Sequence, residues 1–341
     1  MKRSIIAIGL ACLWLTACSP PRQLEQDFTT YLARLATVLQ VEPPVLGEPA
    51  KLPPLPPQRA LQLEQPRVTA GLLDTLRLGE CRLLALVGEH NGPVGKSGGA
   101  AADLIYHLRF QQGLNTCLAN TDDTALRDWL YRLQRQKAPL LSGYHWNMMV
   151  AEPEIRQALT PRRRPLGRDL QPGFQTTYEA FNLFARLHPQ SAHPAQADSR
   201  QLHRHLGGLY DNDYLGRLFY SLHSAAHYLS LSLAFLERLE TLDCGPRARP
   251  DAERLRNAMQ HYYIGRIQPR LGELDRRFVQ LAPLLQQSLL PPPERTAVMA
   301  DYLSWYASGL DSQIYVRYRQ LTLEHARRWQ RFLARCDISP T

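Results

Sequence analysis

The spacing of apolar residues in the last third of this 341-residue sequence is its most constraining feature. The stretches 213–241, 252–287 and 294–334 place leucines and aromatic residues every three or four positions, so each presents one apolar stripe as an amphipathic helix. Prolines at 291–293 separate the second stretch from the third, and Pro269 predicts a kink within the second. We expect the three long helices to pack as an antiparallel bundle.

The same periodicity runs through most of the remaining sequence. Runs of alternating apolar residues joined by hairpin turns do not occur, so the predicted fold class is all-α. The predicted body is an irregular set of helices that ends in the three-helix bundle. A glycine-rich loop at 88–99 and polar loops at 160–173 and 188–198 connect helices predicted at 70–87, 100–113, 122–136, 140–159, 175–187 and 199–209.

The sequence before residue 67 predicts one short helix and one extended segment. Residues 23–40 have apolar positions at helical spacing, whereas residues 43–66 contain eight prolines among 24 positions. Proline lacks an amide hydrogen and fixes φ, so the proline-rich segment 43–66 must be extended. It is either a spacer or a strap laid across the body, and its leucines favour the strap.

The N-terminus resembles that of a bacterial lipoprotein precursor. A basic start precedes an apolar run over residues 5–15, which is long enough for an export signal and too short to span a bilayer. Leu15-Thr16-Ala17-Cys18 resembles a lipobox, which predicts removal of residues 1–17 and acylation of Cys18; the alternative is an ordinary secretory signal. Ser19 stands where an aspartate would resemble a retention signal, which implies the periplasmic leaflet of the outer membrane.

The cysteines predict two disulfides. Six are encoded, Cys12 leaves with the signal and Cys18 carries lipid, which leaves 6 − 2 = 4. An even number in an oxidising compartment indicates disulfides, the alternative being free buried thiols. Helices that run up, down and up bring the ends of the first and third to one pole, which favours Cys244–Cys336. Cys81 and Cys117 flank a single loop–helix unit, which favours the second pair.

The positive charge limits the class of partner. The formal charge of +9 includes Lys2 and Arg3, so the mature chain carries 9 − 2 = +7, with its densest cluster at Arg162-Arg163-Arg164. Outside the cytosol, nucleic acid and nucleotides are excluded as partners, which leaves the lipid bilayer itself, anionic lipid or lipopolysaccharide phosphates, and acidic envelope proteins. The alternative is a solvated arginine loop without a specific partner.

One segment carries a family resemblance. The run from Cys81 to Lys96, CRLLALVGEHNGPVGK, followed by Leu104, Tyr106 and Cys117, resembles the domain of unknown function 3080 family of proteobacterial lipoproteins. Its most specific part is Asn91 with Gly95-Lys96 between the two cysteines. The lipobox, the chain length and the long C-terminal helices also fit. The family implies no particular activity.

Two groups of residues are candidate sites. Glu89, His90, Asn91 and Lys96 form a candidate binding loop, because glycines around them let backbone amides approach a ligand; the alternative is a helix-terminating turn capped by Asn91 or Gly92. His223 and His227 are a candidate metal pair spaced i, i+4, and the alternative is histidines bonded to backbone or tyrosine. A third metal ligand could come from His203, His205, Asp211 or Asp213.

These observations predict a signal peptide (1–17), a lipidated N-terminal region (18–67) and a single helical domain (68–341). The leading functional hypothesis is a non-enzymatic, membrane-anchored periplasmic lipoprotein that binds an envelope partner. No cofactor is predicted. The alternative is an envelope hydrolase with its site at residues 89–96 or at His223 and His227. Neither a serine in a nucleophile elbow nor a defined pair of acids supports that alternative.

Overall fold

The computed structural model describes residues 23–66, 77–79, 81, 83–96 and 98–339, and these residues form helices and connections without a strand. The predicted signal peptide, Cys18, residues 70–76 of the predicted helix 70–87 and the side chain of Lys96 lie outside this description. The helices are α1 (Gln23–Leu39), α2 (Gln58–Leu61), α3 (Leu83–Asn91), α4 (Pro93–Lys96), α5 (Gly99–Asn120), α6 (Thr124–Lys137), α7 (Leu141–Ala151), α8 (Pro153–Leu159), α9 (Phe174–Leu187), α10 (Ser199–Leu209), α11 (Tyr214–Leu236), α12 (Arg249–Ala258), α13 (Gln268–Ser288), α14 (Thr296–Tyr306) and α15 (Gln313–Arg335).

Capping residues and prolines explain several of these boundaries. The carboxylate of Asp123 accepts hydrogen bonds from two amides in the first turn of α6, and Asp198 does the same for α10. The predicted helix 140–159 is wrong as a single element, because it breaks at Glu152. Pro153 begins α8, where a missing amide hydrogen costs nothing. Among the described residues, no helix has the length and apolar content needed to cross a bilayer.

The first and last helices of the predicted bundle, α11 and α15, run side by side in the same direction. Near the start of α11, Phe219 packs on Tyr306, just before α15, with ring centroids 4.6 Å apart. Beyond the other end of α11, Glu240 pairs with Arg328 at 2.6 Å. The two helices therefore share their C-terminal pole, as the sequence predicted.

The middle run, from α12 through α13, is antiparallel to α15. The Tyr318 hydroxyl donates to the carbonyl of Leu271 at 2.6 Å, and later along α15 the ring of His325 stacks on Tyr263, which comes earlier in the middle run, at 4.0 Å. The irregularity predicted at Pro269 starts before the proline. A π-helix, Met259–Ile267, joins α12 to α13, and the proline sits in the first turn of α13.

The predicted helix 294–334 is divided, which corrects the sequence interpretation. It consists of α14 and α15, separated by a 3-10 turn at Gly309–Asp311. Gly309 has φ +61°, a conformation that glycine adopts without strain, and a Cβ atom there would lie 2.6 Å from Oε1 of Gln286. The positive φ therefore favours glycine at this break, and a side chain there would also have to displace the end of Gln286 on α13.

Both predicted disulfides are confirmed. Cys81 is bonded to Cys117, with Cα atoms 5.2 Å apart, and Cys244 to Cys336, with Cα atoms 4.9 Å apart. The second disulfide joins the ends of α11 and α15 across 92 residues of chain.

The buried side chains form two clusters. The larger cluster spans the bundle, α1 and the central helices, and it includes Phe28, Tyr31 and Leu61 from the region before residue 67. That N-terminal region is therefore part of the main core. The smaller cluster lies around the Cys81–Cys117 disulfide, and α5 contributes to both. The smaller cluster contains Leu78, Leu83, Phe110, Leu114, Leu126, Leu130 and Leu133.

The proline-rich segment lies across the body as a strap. Side chains of the body hold its backbone: the indole of Trp146 donates to the carbonyl of Leu61 at 2.8 Å, and the hydroxyl of Tyr306 donates to that of Pro53 at 2.8 Å. Asn147 makes two hydrogen bonds, both 2.8 Å, with the backbone of Leu63. These bonds supply the partners that an extended, proline-rich backbone cannot find within itself.

Candidate functional site

The predicted binding loop is shorter and more helical than expected. Glu89, His90 and Asn91 form the last turn of α3, and α4 follows after Gly92, so the loop predicted at 88–99 is wrong over most of its length. A Cβ atom on Gly95 would lie 2.2 Å from the carbonyl oxygen of His90, so α4 can fold back onto the end of α3 only with glycine here. Neither Asn91 nor Gly92 has positive φ, so neither forms the predicted left-handed cap.

His90 points from the end of α3 onto one face of α5. Asp103, Tyr106 and His107 share that face because they are spaced i, i+3 and i+4. The His90 ring stacks on Tyr106 with centroids 3.8 Å apart, and His107 stacks on Tyr144 of α7 at 3.7 Å. The two stacks meet where Tyr106 contacts His107 edge to face at 4.8 Å.

Lys137, at the end of α6, completes this group. Its ammonium lies 4.8 Å from the ring centroid of Phe110, one turn beyond Tyr106 on α5. The six ionisable side chains that gather here, each half-buried, are called the α5 cluster: His90, Asp103, Tyr106, His107, Lys137 and Tyr144. The α5 cluster lies where the two hydrophobic cores adjoin.

Burial moves the ionisable groups of the α5 cluster towards their uncharged forms. Desolvation lowers the pKa of His107 to about 3, with smaller contributions from Lys137 and His90. Desolvation also lowers the pKa of His90, against an opposing effect of the Asp103 charge, and lowers the pKa of Lys137. It raises the pKa of Tyr106 to about 12 and raises those of Asp103 and Tyr144. At neutral pH both imidazoles are therefore mostly neutral, and each can donate with one nitrogen and accept with the other.

The polar atoms of the α5 cluster make no hydrogen bond to another side chain or backbone group among the described residues, and the pKa shifts of its members arise from burial and charge alone. None of these polar atoms is among the fully buried, unpartnered side-chain atoms of the described residues, so they remain open to solvent. The α5 cluster therefore offers several donors and acceptors to a further molecule.

A half-buried carboxylate near the start of α5 has a different role. Oε1 of Glu152 accepts a hydrogen bond from the amide of Ala101 at 2.7 Å, so this side chain caps α5 from the break between α7 and α8. Desolvation raises its pKa, and the amide hydrogen bond acts in the opposite direction. Glu152 thus fixes the position of the helix that carries the α5 cluster.

The histidine pair holds the proline-rich segment. Nε2 of His223 donates to the carbonyl of Ala50 at 2.9 Å, and Nε2 of His227 donates to that of Leu46 at 2.7 Å. These two hydrogen bonds correspond to the alternative to a metal pair given in the sequence analysis, in which the histidines bond to backbone. Nowhere in the described ranges do three or more His, Cys, Asp or Glu residues gather as metal ligands.

The other predicted metal ligands and the triple-arginine run at residues 162–164 lie apart from the α5 cluster. His203 hydrogen-bonds the backbone of its own helix at Ser199, and Asp213 pairs with Arg164 at 2.6 Å. Arg164 is the only member of the triple-arginine run with an ion pair among the described residues. His325 is fully buried among the aromatic rings of the bundle, as expected of a core residue.

A second polar surface lies beside the first turns of α1. A groove of about 840 Å³ runs between α1, the loop at 168–171 and the start of α13, and four arginines line it. The guanidinium of Arg270 fixes one wall by donating to the carbonyls of Leu166 at 2.9 Å and Gly167 at 2.6 Å. The sequence interpretation placed the basic site at residues 162–164 and missed this groove, because its arginines are distant along the chain.

The sequence interpretation also missed Asp103, His107, Lys137 and Tyr144, and it used Tyr106 only as a family marker. The sequence pattern that could have indicated this site is a polar and aromatic face on one predicted helix, with positions 103, 106, 107 and 110 at helical spacing. Such a face is usually read as a solvated or core stripe. Only the approach of His90 and Tyr144 shows that it is a cluster.

Comparison with known proteins identifies the family. The family model described as protein of unknown function (DUF3080) matches residues 28–340. No curated protein and no solved structure matched the chain. The matched range spans nearly all of the described residues, including both disulfides and the α5 cluster. The chain therefore belongs to the DUF3080 family.

Proposed function

We propose that this protein is a non-enzymatic binding protein of the bacterial envelope, anchored through acylated Cys18 in the periplasmic leaflet of the outer membrane. The observation that carries the binding role is the α5 cluster, whose donors and acceptors are open to solvent and are not engaged by another described group of the fold. A partner that covers the cluster exchanges the hydrogen bonds that these groups make with water for direct ones.

The chemistry of the α5 cluster indicates the kind of partner. The tyrosine hydroxyls and two neutral imidazoles donate and accept, Asp103 offers a carboxyl group, and Lys137 offers an ammonium. A partner must therefore present both donors and acceptors, as a polypeptide surface does. Because α5, α6 and α7 hold the cluster from three sides, its geometry exists before binding.

Site-specific photocrosslinking in intact cells tests this role. A photoreactive residue replaces the exposed Glu89 beside the cluster, and a matched control places it at the exposed Arg254 on α12. We expect a discrete crosslinked product at position 89 that is absent at position 254. The Tyr106→Phe substitution keeps the ring and removes the hydroxyl, and we expect it to weaken the product. Identical products at both positions, or no product at position 89, contradict the proposal.

Mass spectrometry of the mature N-terminus tests the anchor separately. A diacylated or triacylated Cys18 supports it, whereas an unmodified Cys18 or cleavage at another position excludes it. The anchor and the binding role can therefore fail independently.

One observation favours the alternative, an envelope hydrolase. The charge of Asp103 opposes the lowering of the His90 pKa by burial, and a neutral imidazole that is open to solvent can act as a general base. Incubation of purified protein with isolated cell envelopes, followed by mass spectrometry of released products, tests it. Product release that His90→Ala abolishes supports the hydrolase, and no release supports the binding protein.

A further inference from the structure

The groove beside α1 lies at the point where the chain leaves towards the predicted anchor. Helix α1 begins at Gln23, and 23 − 18 = 5 residues separate this position from Cys18. Five residues span at most about 18 Å even when fully extended. With Cys18 acylated, the start of α1 and the groove beside it must lie close to the membrane surface.

The charges at this groove are unevenly paired. Glu273 pairs with Arg276 and Arg277, and Arg270 is engaged with backbone carbonyls. Arg168 and Arg266 are exposed and have no ion-pair partner among the described residues. The side of the groove that faces solvent therefore carries two guanidinium groups without a carboxylate partner. Arg266 also contacts Nε2 of His261 at 3.4 Å, and Asp27 and Asp169 line the groove as well.

Aromatic and apolar side chains continue this basic edge. The guanidinium groups of Arg34 and Arg266 lie over the ring of Tyr262, at 5.8 and 5.3 Å from its centroid. Ile264 lies between Tyr262 and Arg266 in the π-helix, and it is 43% exposed. Arginine, tyrosine and an exposed aliphatic side chain together are typical of surfaces that lie in the headgroup region of a bilayer.

We propose that the face formed by Arg34, Arg168, Tyr262, Ile264 and Arg266 binds the phosphate groups of anionic phospholipids in the leaflet that carries the acyl anchor. This inference rests on the anchoring half of the proposed function. The inference also defines how the helical body is oriented on the membrane. Helix α1 and the π-helix face the bilayer, so the body does not move freely at the end of its lipid anchor. Planar guanidinium groups bind phosphate through paired hydrogen bonds, and the acyl chains keep the face at the membrane.

The experiment uses mature acylated protein in vesicles of phosphatidylcholine alone or of phosphatidylcholine with phosphatidylglycerol. Flotation measures anchoring, and phenylglyoxal modification, read by mass spectrometry, measures the accessibility of each arginine. We expect flotation with both vesicles. We expect Arg168 and Arg266 to react roughly fivefold more slowly with phosphatidylglycerol present, and high salt to remove the difference. Arg132 and Arg135 on α6 are internal controls and should react equally in both vesicles.

Variants separate this inference from the proposed function. Arg168→Glu with Arg266→Glu should still float but lose the lipid-dependent protection of Arg34, whereas Arg132→Glu with Arg135→Glu should retain it. Flotation with equal modification rates in both vesicles overturns the docking face and leaves the anchor intact. No flotation with either vesicle overturns the anchor and the docking face with it.

Discussion

His90 and Tyr106 stack face to face, with ring centroids 3.8 Å apart and planes 4° from parallel. This contact joins the end of α3 to the middle of α5, across the segment that carries the family resemblance. We expect His90→Ala to reduce stability by about 1 kcal/mol, because it removes one stacked pair from a half-buried site. Glu89→Ala, one position earlier and exposed, should change stability by less than about 0.5 kcal/mol. Chemical denaturation measures both, and equal effects would show that the stack contributes nothing.

Glycines near this contact provide a second test. Gly95→Ala places a Cβ atom 2.2 Å from the backbone oxygen of His90, which cannot move without displacing α3, so we expect a loss of about 2 kcal/mol or more. Gly88→Ala is the matched control. Nothing lies within 4 Å of its added Cβ, and alanine should stabilise α3 by up to about 1 kcal/mol. Thermal unfolding distinguishes them, and a neutral Gly95→Ala would contradict the close packing of α4 on α3.

The long helices could be predicted because each buries one continuous stripe, and local spacing is enough to define such a stripe. The division between α14 and α15 could not be predicted in the same way, because apolar positions continue on both sides of Gly309. At the break, Gly309 has a positive φ and lies against the end of Gln286 on α13, and neither relationship is visible in the apolar spacing. Tertiary packing decides that boundary.

The strap contacts give a third prediction. His223→Ala with His227→Ala removes two donors to the proline-rich segment, each worth about 1 kcal/mol. Trypsin should then cleave faster at the exposed Lys51, which lies between Ala50 and Pro53. The matched control replaces both histidines with glutamine, which keeps a donor at similar reach, and cleavage should stay slow. Unchanged cleavage in the alanine variant, together with loss of a bound metal, would restore the metal hypothesis.

The candidate sites show a different limit of sequence reasoning. The spacing of His223 and His227 was read correctly as one helix face, but the acceptors of their hydrogen bonds lie more than 170 residues earlier in the chain. The α5 cluster likewise combines residues from α3, α5, α6 and α7. Spacing within one helix identifies which side chains share a face. It does not identify what approaches that face.

The two disulfides should differ in what they stabilise. Cys244→Ala with Cys336→Ala opens a loop of 92 residues, and we expect a loss of roughly 4 kcal/mol spread over α11 and α15. Cys81→Ala with Cys117→Ala should act locally, because that bridge closes only 36 residues around the smaller core. Hydrogen exchange should accelerate in α3 and the adjoining part of α5 while α11 and α15 stay protected. Acceleration throughout the chain would show that the two cores unfold as one unit.

Buried histidines make stability depend on pH. Desolvation lowers the pKa values of His145 and His325 from 6.5 to about 3 in the folded chain. The unfolded chain therefore binds protons that the folded chain does not between these values. The contribution of these two histidines to the free energy of unfolding is fully present above about pH 6.5 and is lost progressively as the pH falls towards 3. Burial of neutral imidazole thus predicts acid destabilisation, in addition to the effect of the carboxylates.

A variant at one of these sites isolates the histidine contribution. His325→Phe keeps a ring stacked on Tyr263 and removes Nδ1, a buried atom without a partner among the described residues. It also removes Nε2, which lies 3.3 Å from the hydroxyl of Tyr31, and that loss is the same at every pH. Between pH 7 and about pH 4.5, we expect this variant to lose less unfolding free energy than the parent chain by on the order of 1 to 2 kcal/mol. The control His203→Gln replaces an exposed histidine, leaves the buried imidazole of His325 in place and should match the parent chain. Urea denaturation at the two pH values measures the difference, and parallel losses in all three proteins would mean that His325 is protonated as readily in the fold as outside it.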